Sequence, residues 1–75
     1  MAPHWYDDRT ITWARVNPQR WRSEQEVDGV PVFVATRARG SWRLRHHRST
    51  RVVGGFRTIE EVRAYAPRLL AEAAA

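Results

Sequence analysis

Residues 10–56 consist of short segments in which apolar and polar residues alternate, separated by turn residues. Alternation with a period of two is typical of strands that bury one face of a sheet. It is cleanest in the run Trp-Arg-Leu-Arg-His-His at 42–47, and three valines with a phenylalanine mark the segment 30–36 as a strand. The pattern predicts strands at residues 10–16, 20–26, 30–36, 42–47 and 52–56.

Turn signals lie between these segments at short intervals. Proline fixes its own φ and disfavours the helical region for the residue before it, which makes Asn17-Pro18 a turn. Asp28-Gly29 favours a hairpin because both residues tolerate positive φ. Further turns are predicted at residues 39–41 and 48–50. Connections this short join neighbouring antiparallel strands, so the strands are predicted to form a meander.

A helix is predicted at residues 58–73. Thr58 and Glu61 match a capping box, in which the hydroxyl and the carboxylate each accept a backbone N–H. The apolar residues that follow recur at helical spacing and form one stripe: Val62, Tyr65, Ala66, Leu69, Leu70 and Ala73. Pro67 interrupts the hydrogen-bond ladder but not the stripe. The helix is therefore expected to be kinked near Pro67, or broken there with Pro67 starting a second short helix.

Together these elements predict an α+β fold. It is an antiparallel β-meander of three to five strands followed by one C-terminal helix packed on one face. The 75 residues make one domain at most, with room for one sheet and one helix. Residues 1–9 are expected to be a frayed N-terminus, residues 10–56 the sheet and residues 58–73 the helix.

The composition narrows the cellular setting. The chain has no cysteine, which excludes disulfides and thiolate chemistry and fits the cytoplasm. No apolar run approaches the roughly 20 residues that a membrane span needs. The first residues have neither the basic region nor the apolar core of a signal peptide. We therefore expect a cytoplasmic protein with no membrane partner.

No group of residues in the sequence has the pattern of a catalytic or metal site. The serines lack placed His–Asp partners, and there is no glycine-rich phosphate loop. His46 and His47 are adjacent, so on a strand they are expected to point to opposite faces and cannot share a metal. His4, Asp7 and Asp8 could hold a metal loosely, but they lie in the segment that is expected to be a frayed terminus, which is the favoured interpretation. The chain is therefore predicted to be no enzyme and to need no metal or cofactor.

Basic residues are unevenly distributed along the chain. The net charge is +5, and all thirteen basic residues are arginines. Two explanations for the missing lysine remain open: the guanidinium fork suits phosphates and bases, and a GC-rich genome favours arginine codons in any protein. Residues 29–59 hold seven arginines and no acidic residue, whereas each flanking segment has a net charge of −1. This segregation predicts a positive surface for an anionic partner.

Strand parity assigns part of this charge to one side of the sheet. If the helix covers the face that holds Trp42 and Leu44, then Arg43 and Arg45, which alternate with them on the same strand, lie on the open face. By the same parity, Phe33, Ala35 and Arg37 are expected to share that open face, although Val32 and Val34 on the opposite side suit the core better. An open antiparallel face with arginines and an aromatic ring is typical of surfaces that stack bases and grip phosphates. The arginines predicted to bind nucleic acid or an acidic partner are Arg37, Arg39, Arg43, Arg45, Arg48, Arg51 and Arg57, with Trp21 and Phe33 as candidate aromatic contacts.

Two further arrangements remain open from the sequence. Residues 32–37 and 42–46 could enter a DNA major groove as a two-stranded ribbon, with Arg39 at the tip on phosphate. Alternatively, Arg20 and Arg22 lie in the same segment as Glu24 and Glu26. Cross-strand Arg–Glu pairs would then neutralise part of the surface and leave an ordinary solvated face.

The motif GSWRLR at 40–45, followed by GFRT at 55–58 and EEVRA at 60–64, resembles the arm-type DNA-binding domain of phage tyrosine integrases. The resemblance covers about half the chain. It implies a three-stranded sheet followed by a helix, with the sheet in the major groove and Arg43, Arg45 and Arg37 in groove contacts. Over most of its length the chain also resembles small uncharacterised proteins of high-GC bacteria and their phages, through the rhythm W…G…W…GxFxT…A.

The sequence thus favours two functions. The first is a small non-catalytic nucleic-acid-binding protein that uses arginines of the sheet and hairpin. DNA is its expected ligand, and a phage origin is compatible with the resemblance. The alternative is a protein–protein interaction module that docks an acidic host protein through the same arginines and an exposed tryptophan. A homodimer whose interface covers surplus aromatics from the four tryptophans is compatible with either function.

Overall fold

The computed structural model of the chain describes residues 11–47 and 52–74. Its elements are β1 (Trp13–Asn17), β2 (Arg20–Ser23), β3 (Glu26–Val27), β4 (Val30–Pro31), β5 (Phe33–Ala38), β6 (Ser41–His46), β7 (Val52–Phe56) and α1 (Ile59–Ala74). The predicted frayed terminus at 1–9 and the predicted turn at 48–50 lie outside the described residues.

Five strands form one antiparallel sheet in the order β1-β2-β5-β6-β7. The remaining two, β3 and β4, pair with each other as a separate ribbon inserted between β2 and β5. The helix α1 packs on β5, β6 and β7. This arrangement confirms the predicted α+β fold, a β-meander followed by one C-terminal helix on one face.

Two-residue turns close both hairpins that the sequence predicted from glycine. Asp28 and Gly29 have φ values of 54° and 79°, and Arg39 and Gly40 have φ values of 54° and 75°. Positive φ at both central residues defines the type I′ turn, whose twist matches that of the flanking strands. The turn at Asp28-Gly29 closes the ribbon β3–β4 instead of joining β2 to β5, so the predicted strand at 30–36 is split in two.

The split changes which residues of this segment face the core. Val32 forms a bend between β4 and β5, and alternation starts again at Phe33. Both residues are buried, with 1% and 0% of their surface exposed. Phe33 lies opposite His46 and stacks on Trp13, with 5.9 Å between ring centroids. The expectation that Phe33 shares the open face is therefore wrong, because the bend shifts the strand parity by one residue.

The helix forms as one element from Ile59 to Ala74, so of the two alternatives predicted at Pro67, a kink or a break, the break is excluded. Burial on both sides of the proline explains this, since Val62, Ala66 and Leu69 are fully or almost fully buried against the sheet. That burial offsets the cost of about 3 kcal/mol that an interior proline brings.

The start of α1 follows the predicted capping box with one change. The Glu61 N–H donates to Thr58 Oγ1 at 3.3 Å, as expected for an N-cap. The Glu61 carboxylate accepts the N–H of Arg57, at 2.8 Å, and so reaches one residue further back than the motif requires. Both bonds fix the point at which the chain leaves β7 and enters the helix.

Candidate functional site

Strand register places four arginines on the sheet face opposite the helix. Arg43 and Arg45 are exposed and alternate along β6 with buried core residues. On β2, Arg20 and Arg22 lie on either side of Trp21, which points to the covered side and packs against the core. Residues directly opposite each other in an antiparallel pair share a face, and the pairings through β5 put all four arginines on the same side.

These four side chains, which we call the open-face arginines, form two cross-strand rows. Each row has an arginine on β2, a small residue on β5 and an arginine on β6. The rows are Arg20–Thr36–Arg43 and Arg22–Val34–Arg45. Ideal strand geometry separates the two arginines of a row by about 9 to 10 Å and the two rows by about 7 Å. The result is a regular array of positive charge on the middle strands of the sheet.

A shallow trough of about 450 Å³ runs over β5, the central strand of the sheet. Its floor consists of the short side chains Val34, Thr36 and Ala38, because β5 carries no long residue on this face. Arg20 forms one rim, and two arginines of β6 form the other. The trough therefore combines an apolar floor with a hydroxyl group and charged walls.

One of the open-face arginines already has an acidic partner. The Arg22 guanidinium forms an ion pair with the Glu26 carboxylate, and its Nε donates to the Ser23 carbonyl oxygen at 3.0 Å. This is the sole ion pair between residues that the structure describes. The Arg–Glu neutralisation considered from the sequence thus applies to Arg22, with a partner four residues along the chain and not on a paired neighbouring strand.

Among the described residues, the other three open-face arginines have no acidic partner. Arg20, Arg43 and Arg45 are exposed, and none of them contacts a carboxylate within residues 11–47 and 52–71. Arg20 and Arg43 lie in the same row, with only Thr36 between them. The two positive charges repel each other weakly through solvent at this separation, and a bound anion between them would relieve that repulsion.

The remaining predicted arginines lie elsewhere. Arg39 is in the β5–β6 turn, and Arg57 follows β7 at the same end of the sheet, where Trp42 pairs with Phe56. Arg37 is also at that end, but it lies opposite Trp42 and therefore on the helix side of the sheet. Predicted contacts at Arg48 and Arg51 fall outside the described residues. The structure thus separates the predicted set into an open-face group and an end group.

Neither candidate aromatic contact reaches the open face. Trp21 is half-buried and lies opposite Ala35 on the covered side, and Phe33 is part of the core. The hairpin β5–β6 is also no free ribbon, since β2 pairs with one of its edges and β7 with the other. The groove-entering ribbon considered from the sequence is therefore not formed.

Sequence reasoning missed Arg20 as a site residue. From the sequence, Arg20 is considered only as a possible partner of Glu24 or Glu26, because all three residues lie in the segment 20–26. The signal that identifies it is the run Arg-Trp-Arg at 20–22, which alternates in the same way as Trp-Arg-Leu-Arg on β6. Two strands with this alternation present their arginines together once they flank a common neighbour.

The two adjacent histidines differ from expectation. His47 lies just beyond the end of β6, so the alternation of a strand does not apply to it, and its ring centroid is 4.6 Å from that of His46. The argument that the rings point to opposite faces is therefore wrong. Among the described residues, no group of three or more His, Cys, Asp or Glu side chains is placed to hold a metal ion.

Within residues 11–47 and 52–74, no helix is long and apolar enough to cross a membrane.

Comparison with known proteins gives no information on the function of this chain. No family model, curated protein or solved structure matches the chain. The resemblance to integrase arm domains and to small phage or bacterial proteins stays an expectation from the sequence. Any functional assignment rests on the charge and shape of the open face.

Proposed function

We propose that this protein is a small non-catalytic nucleic-acid-binding protein, with DNA as its foremost ligand. The observation that supports this is the set of three exposed arginines from two strands of one sheet face, none with a carboxylate partner among the described residues. A polyanion with closely spaced charges complements such a set. The absence of cysteine supports a location in the cytoplasm.

The chemistry of the site suits phosphate. A guanidinium group presents several N–H donors in a fixed fork and binds two phosphate oxygens at once. Arg20 and Arg43 approach the trough from opposite sides, and the hydroxyl of Thr36 adds a donor on the floor between them. Phosphates lying along β5 would receive charged hydrogen bonds from both rims. Their release of counterions makes the binding strongly dependent on salt.

The test is a charge-matched pair of double variants. We expect Arg43→Ala with Arg45→Ala to weaken binding to a short DNA duplex by about tenfold or more at low salt, because two charged hydrogen bonds are lost. The control, Arg15→Ala with Arg63→Ala, removes the same charge from exposed residues away from the open face, on the helix side of β1 and on α1. Fluorescence anisotropy measures affinity, and circular dichroism verifies that both variants are folded.

Two results would contradict the proposal. One is equal weakening by both double variants, because net charge and not the open face would then explain the binding. The other is the absence of measurable binding to DNA or RNA by the unmodified protein at low ionic strength.

The trough also favours a second candidate function, docking of an acidic protein. Its floor is largely apolar, and Val52 at its border on β7 is 49% exposed. An apolar segment with carboxylates on both sides would complement this surface. Affinity capture from a nuclease-treated lysate separates the two functions. A protein partner retained by the unmodified chain and lost with Arg43→Ala and Arg45→Ala would favour docking over nucleic-acid binding.

A further inference from the structure

The aromatic side chains of the five-stranded sheet are collected on its covered side. Trp21 lies opposite Ala35, and Trp42 lies opposite Phe56, all on the face that packs against α1 and the core. Trp13 stacks on buried Phe33 on the same side. The open face, as far as the structure describes it, therefore carries arginines, small residues and valines, and no aromatic ring.

This distribution argues against a single-stranded ligand. Proteins that bind single strands draw much of their affinity from bases stacked on aromatic side chains. A flexible strand must also lose conformational freedom when its phosphates are held in one array. Within residues 11–47 and 52–71, the open face offers charge to such a strand but no aromatic ring to offset this loss.

The breadth of the sheet also argues against recognition of base edges in the major groove. Five strands span about 19 Å, whereas the major groove of B-DNA is about 12 Å wide, so the sheet cannot lie flat inside the groove. The strand that carries Arg43 and Arg45, β6, pairs with β5 on one edge and β7 on the other, so it does not enter the groove as part of a free two-stranded ribbon. What remains accessible to this face is the sugar–phosphate backbone.

A duplex presents that backbone in the form that suits a rigid array. Its phosphates are already ordered at regular spacing, and the open-face arginines are mounted on the central hydrogen-bonded strands of the sheet. We propose that the open face recognises double-stranded nucleic acid through the phosphates of its backbone, independently of base sequence. This inference rests on the proposed nucleic-acid-binding function and names the form of the ligand.

The number of available arginines sets the salt dependence. Arg20, Arg43 and Arg45 are without an acidic partner among the described residues, whereas Arg22 is engaged by Glu26. Three phosphate contacts to B-DNA predict a slope of log K against log salt of about −2.7. Removing one contact in Arg20→Ala should bring the slope to about −1.8. Arg15→Ala, on the other face, should leave it unchanged.

The experiment measures binding of the full chain to four probes by anisotropy over a salt series. The probes are a short DNA duplex, one of its strands, a duplex of scrambled sequence and an RNA duplex. We expect the duplex to bind at least about tenfold more tightly than its own strand, since stacking on the open face is missing. The two DNA duplexes should bind within about threefold of each other, because no base is read. Comparison with the RNA duplex shows which backbone geometry fits the array better.

The outcomes separate this inference from the function on which it rests. Equal or tighter binding of the single strand, or a strong preference for one of the two DNA sequences, overturns the duplex-backbone inference and leaves nucleic-acid binding in place. A slope unaffected by Arg20→Ala overturns it as well, provided that thermal unfolding shows the variant to be folded. Failure of all four probes to bind at low salt overturns both.

Discussion

Ser23 shows how one polar side chain secures the junction between the sheet and the ribbon. It is fully buried, at the point where β2 ends and the chain turns toward β3. Its hydroxyl donates to the Gln25 carbonyl at 2.9 Å and accepts the Phe33 N–H at 3.0 Å. The ladder between β2 and β5 stops at Arg22 and Val34. The serine hydroxyl therefore accepts the Phe33 N–H on the β2 side, where no backbone carbonyl is paired with it.

This arrangement predicts a measurable loss of stability in Ser23→Ala. The free energy of unfolding should fall by about 1 to 3 kcal/mol, because the buried Phe33 N–H loses its acceptor. Ser41→Ala is the control, since Ser41 is partly exposed and makes no hydrogen bond through its side chain to the described residues. That variant should stay within about 0.5 kcal/mol of the unmodified protein. Urea unfolding measures both, and equal effects would show that the Ser23 hydrogen bonds contribute nothing specific.

At the scale of elements, the two type I′ hairpins differ in the residue they use at the first turn position. The ribbon β3–β4 has Asp28 there, a residue type that tolerates left-handed backbone. The hairpin β5–β6 has Arg39 at the same φ of 54°, although a long side chain gains nothing locally from that conformation. The tip of the central hairpin therefore holds backbone strain, and its arginine is exposed.

Replacing Arg39 by asparagine should release that strain. We expect Arg39→Asn to raise the free energy of unfolding by about 0.5 to 1 kcal/mol, because asparagine adopts positive φ at lower cost. Asp28→Asn provides the matched control in the other hairpin, and it should change stability by less than about 0.5 kcal/mol. Thermal and urea unfolding measure the difference. A loss of stability in Arg39→Asn would mean that the arginine side chain stabilises the turn.

At the scale of the whole molecule, the aromatic residues of the described sheet and the open-face arginines lie on opposite sides of that sheet. The core lies between the helix and the side that carries Leu44, and the open-face arginines lie on the other side. Three of these arginines have no acidic partner in the described chain, and the net charge is +5. When no anion is bound, the positive charges of the open-face arginines repel one another and destabilise the folded state.

The stability of the free protein should therefore increase with salt. Raising the ionic strength from about 0.01 M to 0.1 M shortens the Debye length from about 30 Å to 10 Å and screens the repulsion between the rows. We expect a gain of several tenths of a kcal/mol, up to about 1 kcal/mol, in unfolding experiments with NaCl. The variant Arg43→Ala with Arg45→Ala should lose most of this dependence, and Arg15→Ala with Arg63→Ala should keep more of it. A decrease of stability with salt would show that ion pairs outweigh the repulsion.

The sequence by itself determined the elements whose signals are local. The helix follows from the cap at Thr58 and Glu61 and from its apolar stripe, and the hairpin turns follow from glycine at positive φ. Strand β6 follows from clean alternation, which also assigned Arg43 and Arg45 to the face away from the core. In each case a few neighbouring residues contain the signal that predicts the element.

Tertiary structure decided the features that depend on pairing between distant segments. The bend at Val32 reversed the parity of β5 and placed Phe33 in the core. Pro31, directly before the bend, signals an irregular strand, but it does not determine which face the chain presents afterwards. The pairing of β2 with β5, across the inserted ribbon, brought Arg20 into line with Arg43. Register is set by which faces can be buried together, and that is a property of the packed sheet. For this reason the open-face arginines became a site only when the strands were in place.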